Sequence, residues 1–322
     1  MDRRKFITAL AGGFMAAPSA ADAQQVGKLP RIGFLQATQN ENVVAFLQAL
    51  REARYNDGET AVIETRLYGT RLDQIQELAN ELVARECDVI FAAGPYAVKA
   101  MMRATRTIPI VAVDLESDPI ASGWAKSLGR PSGNLSGMFL DLPEISGKQI
   151  QLIKEALPQL SSVGILWDST VGEAQFRATE AAARAAHVGF ISLPVKRLGD
   201  FEIALERAAS ERVQAVVVLS SPIIFGERAE IASLALKNRL ATISIFTLFA
   251  QSGGLMAYGP DLPDMYRHAA IYVDRILKGA RVESLPIDRP SKFKLVINLQ
   301  TAKALGLVMP RLVLLRADEV IQ

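Results

Sequence analysis

Ser161-Ser162-Val163-Gly164-Ile165-Leu166-Trp167-Asp168-Ser169-Thr170 is the place where a pattern begins a second time. Val163 to Trp167 reads as a strand, and an Ala-rich helix follows from about Gly172 to Ala186. Phe190-Ile191-Ser192-Leu193 is the next strand, and Phe201 to Ala209 the next helix. Ala215-Val216-Val217-Val218-Leu219 is almost purely β-branched, as a strand covered on both faces requires. Pro222 to Asn238 then keeps helical spacing, and Thr242-Ile243-Ser244 and Leu255-Met256-Ala257-Tyr258 are short strands.

The same order of elements runs upstream of Leu157-Pro158. Ile32-Gly33-Phe34-Leu35 is a compact apolar run, and Val43, Val44, Phe46, Leu47 and Leu50 recur at helical spacing. Ala61 to Tyr68 is a strand, and Leu72, Ile75, Leu78, Ala79 and Leu82 mark a helix. Asp88 to Ala93, a helix over Ala97 to Thr105, Pro109 to Val113 and finally Asn134 to Leu140 complete the round. Strands alternating with helices at this interval give parallel sheets with right-handed crossovers. Eight βα units can also be laid out as one barrel or one large sheet. The restart at Ser161 and the long tail after Gly259 favour two units.

The tail must then be housed. Asp261 can cap a helix carrying Met265, Ala269, Ile271, Tyr272, Ile276 and Leu277, ended by Gly279. Pro286 and Pro290 punctuate the link to a strand over Phe293 to Ile297. The economical arrangement returns the helix to the first unit and crosses again to the second, and such crossings form a hinge. The expected fold class is therefore α/β, with two Rossmann-like lobes of parallel strands joined by a multi-crossing hinge. Lobe 1 is assigned 30–142 plus 260–282, and lobe 2 is assigned 143–259 plus 283–322.

The N-terminus reads as an address. Arg3-Arg4-Lys5 precedes an uncharged apolar stretch from Phe6 to Ala17, Pro18 breaks it, and Ala21-Asp22-Ala23 is a small-x-small cleavage pattern. The stretch is shorter than the roughly 20 residues that span a bilayer, so residues 1–23 are expected to be a removed signal peptide and the protein periplasmic. Arg3 to Ile7 also resembles the twin-arginine export pattern, although ordinary secretory leaders carry Arg pairs too. Cys87 is the single cysteine, far from the leader, so neither a lipid-bearing cysteine nor an intramolecular disulfide is available. Before Asp88-Val89-Ile90-Phe91 it reads as a buried thiol. The full chain has 36 Lys and Arg against 34 Asp and Glu, without a basic cluster beyond the leader, which argues against nucleic acid or an anionic membrane as partner.

Catalytic signatures are missing. No G-x-S-x-G elbow, phosphate loop or post-strand G-x-G-x-x-G occurs. The two histidines, His187 and His268, lie on helices and read as dipole-complementing or solvated groups. No metal site, cofactor or catalytic residue is expected. Open α/β sheets bind ligands beyond the carboxyl ends of their strands. There the sequence places Thr38 and Asn40, then Gly94-Pro95-Tyr96, then Asp118-Pro119 within Asp114 to Pro119. In the second unit it places Asp168-Ser169-Thr170 and Ser221, followed by Phe246 and Phe249. Helix N-termini beside Ser169, Thr170 and Ser221 suit a carboxylate. Tyr96, Trp167, Phe246, Phe249 and Tyr258 offer stacking faces for an apolar body, Trp167 and Tyr258 being the two that can equally turn into a core.

The stretches Gly253-Gly254-Leu255-Met256-Ala257-Tyr258-Gly259-Pro260, Tyr272 with Ile276-Leu277-Lys278-Gly279, Lys292 to Leu299, Thr301 to Leu307 and Arg316 to Ile321 resemble one family. It is the ABC-transporter substrate-binding proteins related to the tryptophan- and tyrosine-binding type. The resemblance implies the periplasmic-binding-protein type I fold, with a small-molecule ligand, an inner-membrane permease as partner, a monomer and no catalysis. It also implies that the loops at Thr38, Gly94 to Tyr96, Asp118-Pro119, Asp168-Ser169 and Ser221 line the cleft. Trp167 to Thr170 stands where many relatives have an Asn-Pro-Asn-like turn, and Ser117 where many have Gly, so the ligand itself stays open between amino acids and other aromatic or carboxylate compounds. A ligand-binding partner of a sensor receptor has the same architecture. A periplasmic enzyme using Asp118 or Asp168 lacks a nucleophile–base pair, and a transcription regulator lacks a helix-turn-helix segment before Arg31.

Overall fold

A computed structural model describes residues 28–322 apart from positions 70 and 132, so the proposed leader, 1–23, lies outside the described residues. The first round consists of β1 (Arg31–Gln36), α1 (Glu41–Glu52), β2 (Val62–Leu67), α2 (Ile75–Ala84), β3 (Val89–Ala93), α3 (Pro95–Ala104), β4 (Ile110–Asp114) and β5 (Leu135–Phe139). The second consists of α4 (Leu142–Ala156), β6 (Ser162–Asp168), α5 (Glu173–Ala185), β7 (Gly189–Val195), α6 (Asp200–Ser210), β8 (Ala215–Val218), α7 (Pro222–Gly226), α8 (Arg228–Lys237), β9 (Ala241–Ser244), α9 (Thr247–Gln251) and β10 (Met256–Pro260). The tail adds α10 (Leu262–Leu277), β11 (Ile287–Asp288), β12 (Phe293–Asn298), α11 (Leu299–Ala304), α12 (Arg311–Leu314) and β13 (Glu319–Ile321).

Two sheets form, not one. Their orders are β2-β1-β3-β4-β5-β11 and β7-β6-β8-β9-β10-β12-β13. Within each sheet the first five strands follow the same 2-1-3-4-5 order, all parallel, and β12 runs antiparallel against β10, with β13 parallel to β12. β3, β4, β5, β8 and β9 are buried along their whole length, because helices cover both faces of each sheet. Phe34, Phe46 and Phe91 stack between β1, α1 and β3 with ring centroids 4.2–5.7 Å apart.

The chain crosses between lobes three times. The first two crossings share a sequence, Asp141-Leu142-Pro143-Glu144 and Asp261-Leu262-Pro263-Asp264. In each, the Asp side chain accepts the N–H three residues on, at 3.2 and 3.1 Å, and caps the helix that enters the next lobe. The third crossing lies beside the second: Asp261 N–H donates to Lys292 O at 3.0 Å, and Lys292 and Lys294 pair with Asp264 and Asp261 at 2.7 and 2.8 Å. Arg289 also donates to Leu140 O, tying the third crossing to the first.

Several elements depart from the expected ones. Helix α10 does pack on α1, β3, β4 and β5 of lobe 1. The chain stays there beyond the expected boundary at 282, since Ile287 and Asp288 pair with Gly137 and Met138. The single helix expected over Pro222 to Asn238 is two, because the chain bends at Glu227 (φ −98°, ψ 19°) despite continuous helical spacing of apolar residues. The loop holding Phe246 and Phe249 contains the short helix α9. His187 is the left-handed residue closing α5 (φ +55°), and His268 Nε2 lies 3.3 Å from Asp288. Cys87 is buried, which pushes its thiol up to about 11.

Candidate functional site

In a sheet of this order, the loops after the first and third strands diverge to opposite faces and leave a crevice. Both lobes turn that end toward one another. A cavity of about 470 Å³ lies between them, within the range of small-molecule sites. Gln36, Thr38 and Asn40 reach it from beyond β1, Tyr68 from beyond β2, and Gly94 from beyond β3. Leu115 and Glu116 follow β4, and α10 returns to supply Tyr266, whose hydroxyl donates to Gln36 Oε1 at 3.1 Å. Lobe 2 contributes Ser221, Ile223, Phe225, Gly226 and Phe246, with Arg197 and Leu198 among its lining residues. Apolar and aromatic groups thus form much of the wall, and polar groups converge from lobe 1.

The local structure explains these positions. Asn40 caps α1, its Oδ1 accepting the N–H groups of Asn42 and Val43 at 3.0 and 3.3 Å. Ser221 caps α7 in the same way, accepting Ile224 N–H at 3.2 Å. Gly94 has φ +86°, a left-handed conformation that turns β3 into α3 and favours glycine.

Asp114 and Glu116 are both buried acids, at 0% and 4% exposure. Asp114 Oδ1 accepts the N–H groups of Glu116 and Ser117 at 2.8 and 3.0 Å, while its buried Oδ2 has no partner among the described residues. Glu116 accepts Leu115 N–H at 3.1 Å and the hydroxyl of Ser220 from the opposite lobe. Burial raises both carboxyls above the usual carboxylate range, Glu116 well above it because the Asp114 charge adds to the effect. The Tyr68 hydroxyl, fully buried on the cavity wall, likewise has no partner among the described residues, and burial beside Glu116 keeps it neutral.

A second bridge joins the lobes. The Tyr96 hydroxyl lies 3.2 Å from Asp168 Oδ2 and 2.5 Å from Thr170 Oγ1. Asp168 is fully buried and also binds Thr170 through its N–H and hydroxyl, at 2.9 and 2.5 Å. These residues latch the lobes together. In Tyr96→Phe the latch loses its phenol, so the open–closed equilibrium is expected to shift about fivefold toward open, the worth of one hydrogen bond near 1 kcal/mol. Small-angle scattering of the ligand-free protein would show a larger radius of gyration, and an unchanged radius would remove the latch role.

The residues expected at the cleft divide accordingly. Thr38, Asn40, Gly94, Ser221 and Phe246 line the 470 Å³ cavity. Pro95, Asp118, Ser169 and Thr170 line an adjoining one of about 570 Å³, with Lys99, Arg103 and Arg106 on its wall, and Glu116 lines both. Tyr96 and Asp168 form the latch, and Pro119 belongs to the turn whose carbonyl accepts Trp124 N–H at 2.9 Å. Two residues are corrections. Phe249 is fully buried in the lobe 2 core, packed where Gly254 leaves room, and Tyr258 stacks on Phe293 at 5.7 Å, so neither lines either cavity. Trp167 also turns away, onto Phe176 at 4.7 Å, and donates to Ser192 Oγ at 2.9 Å. Tyr68, Phe225 and Tyr266 are cavity residues that sequence reasoning passed over, whereas Gln36 and Glu116 lie at the carboxyl ends of β1 and β4 without having been singled out there.

Two lobes of like order, hinged by three crossings and closed over a cavity, define a cleft-type binding protein. Residues 36–321 match the family described as ABC transporter substrate binding protein. A tyrosine-binding protein of Clostridioides difficile (strain R20291) is 23% identical over 264 residues, 81% of this chain and 75% of that protein. Among solved structures, a conserved domain protein from Vibrio cholerae O1 biovar El Tor superposes with TM-score 0.84 at 22% identity, covering 91% of this chain and 100% of that one. An ABC domain from Streptococcus pneumoniae in complex with L-Trp gives 0.83 at 22% identity and the same coverage. The chain belongs to the ABC-transporter substrate-binding protein family, with the fold of periplasmic binding proteins. It is a substrate-binding protein and not an enzyme. Among the described residues no helix is long and apolar enough to cross a membrane, and no group of His, Cys, Asp and Glu has metal-site geometry.

Proposed function

We propose that this protein works in the periplasm as the solute-binding component of an ABC importer. It captures a small molecule with an apolar or aromatic body and a charged head between its lobes, and presents it to an inner-membrane permease. One observation carries the reading: a cavity of about 470 Å³ has apolar walls from both lobes and a buried acidic base on lobe 1. The relatives that bind tyrosine or hold L-Trp support an aromatic amino acid as the class. Only the closed form offers both sets of contacts, so the ligand shifts the equilibrium toward closure. The leader Arg3 to Ala23 supports the location.

Calorimetric titration of the purified protein with amino acids and aromatic acids tests the reading. Saturable binding at about micromolar Kd or tighter, near −8 kcal/mol, is expected for at least one aromatic amino acid. No binding across the whole panel would refute it.

A further inference from the structure

Asp114 and Glu116 form a buried acidic pair for which the protein supplies no counter-ion: among the described residues, no Lys or Arg makes an ion pair with either. Buried charges are paired or they neutralise. Two buried polar atoms of this group, Asp114 Oδ2 and the Tyr68 hydroxyl, are also without a partner among the described residues, and Tyr68 and Glu116 line the cavity. This is a set of acceptors awaiting a donor that carries positive charge. Resting on the cleft as the solute site, we propose that the ligand bears a primary ammonium group, which docks on the Asp114–Glu116 pair and displaces the proton that Glu116 holds in the empty cleft.

The exchange balances. The Glu116 O–H bond breaks, its proton passes to the bulk buffer, and the ammonium keeps all three N–H bonds. Phenols facing the pair are Tyr68, Tyr96 and Tyr266, and burial raises all three, so they stay neutral near physiological pH. The other charged groups along the two cavities that Glu116 lines are Lys196, Arg197 and Glu227 on one side, and Lys99, Arg103, Arg106, Asp118 and Glu173 on the other. The sign follows from the raised Glu116 carboxyl. Ligand favours its ionised form, so binding releases a proton and affinity rises with pH until Glu116 ionises in the free protein.

The test is calorimetry with L-tryptophan, tryptamine (amine without carboxylate) and indole-3-propionate (carboxylate without amine), in buffers of different ionisation enthalpy between about pH 6 and pH 8. L-Tryptophan and tryptamine should bind with release of up to about one proton, and affinity should rise by up to about tenfold per pH unit. Glu116→Gln keeps the shape and the Ser220 contact, and should bind without proton release or pH dependence. Its melting temperature confirms that it folds. Indole-3-propionate binding as tightly as L-tryptophan, or proton release surviving in Glu116→Gln, overturns this proposal alone. Failure of all three probes overturns it together with an aromatic solute.

Discussion

Gly226→Trp is expected to leave the protein folded and unable to bind its solute. Gly226 is the last residue of α7 and lines the cavity, and a Cβ built there meets nothing within 4 Å. Its φ is ordinary for an L-residue, so no backbone strain accompanies the change. The indole would occupy much of a 470 Å³ space shared by Phe225 and Phe246. A loss of at least about 100-fold in affinity, roughly 2.7 kcal/mol, should appear in calorimetric titration, with the melting temperature almost unchanged. Gly226→Ala should bind like the wild type. Retained affinity in Gly226→Trp would place the solute elsewhere.

The largest effect on stability is expected from Gly137→Ala. Gly137 sits in β5 with φ +133°, and an added Cβ would lie 2.1 Å from Ala112 O and 2.5 Å from Ala112 N on β4. Both atoms are backbone in the middle of the lobe 1 sheet, so nothing flexible can yield. Strain at a glycine-only conformation and forced separation of two strands each cost about 1–3 kcal/mol. Their sum is among the largest single-residue losses. Thermal unfolding should move down by on the order of 10 °C. A melting temperature within a degree or two of wild type would mean that β4 and β5 separate far more easily than their burial implies.

The sequence displays the lobes because the central strands are covered on both faces and so read as runs of apolar residues, while each helix reads at its own period. Ala215 to Val218 is such a case, and it forms β8 as expected. The restart at Ser161 marks lobe 2 because the chain enters β6 one residue later. The site is less legible, since pockets are built by side chains from distant segments. Tyr68 and Tyr266 lie on one wall although 198 residues separate them, and the return of α10 to lobe 1 is what joins them. The loop residues that sequence favours, such as Asp118 and Asp168, are occupied with turns and the latch. Phe249 and Tyr258 carry the chemistry of a stacking platform, but their strands and helix turn them inward. The repeated Asp-Leu-Pro-acidic motif at residues 141–144 and 261–264 was visible all along as a mark of equivalent crossings.

The cleft as the seat of solute capture is tested most directly by a crystal structure of the protein with its tightest-binding amino acid. The solute is expected to be enclosed between the lobes, its amine at Asp114 and Glu116 and its apolar body against Phe225 and Phe246, with the Tyr96–Asp168 latch formed. A stoichiometric solute bound outside this cavity, or lobes standing apart around it, would rule out the cleft as the seat of capture.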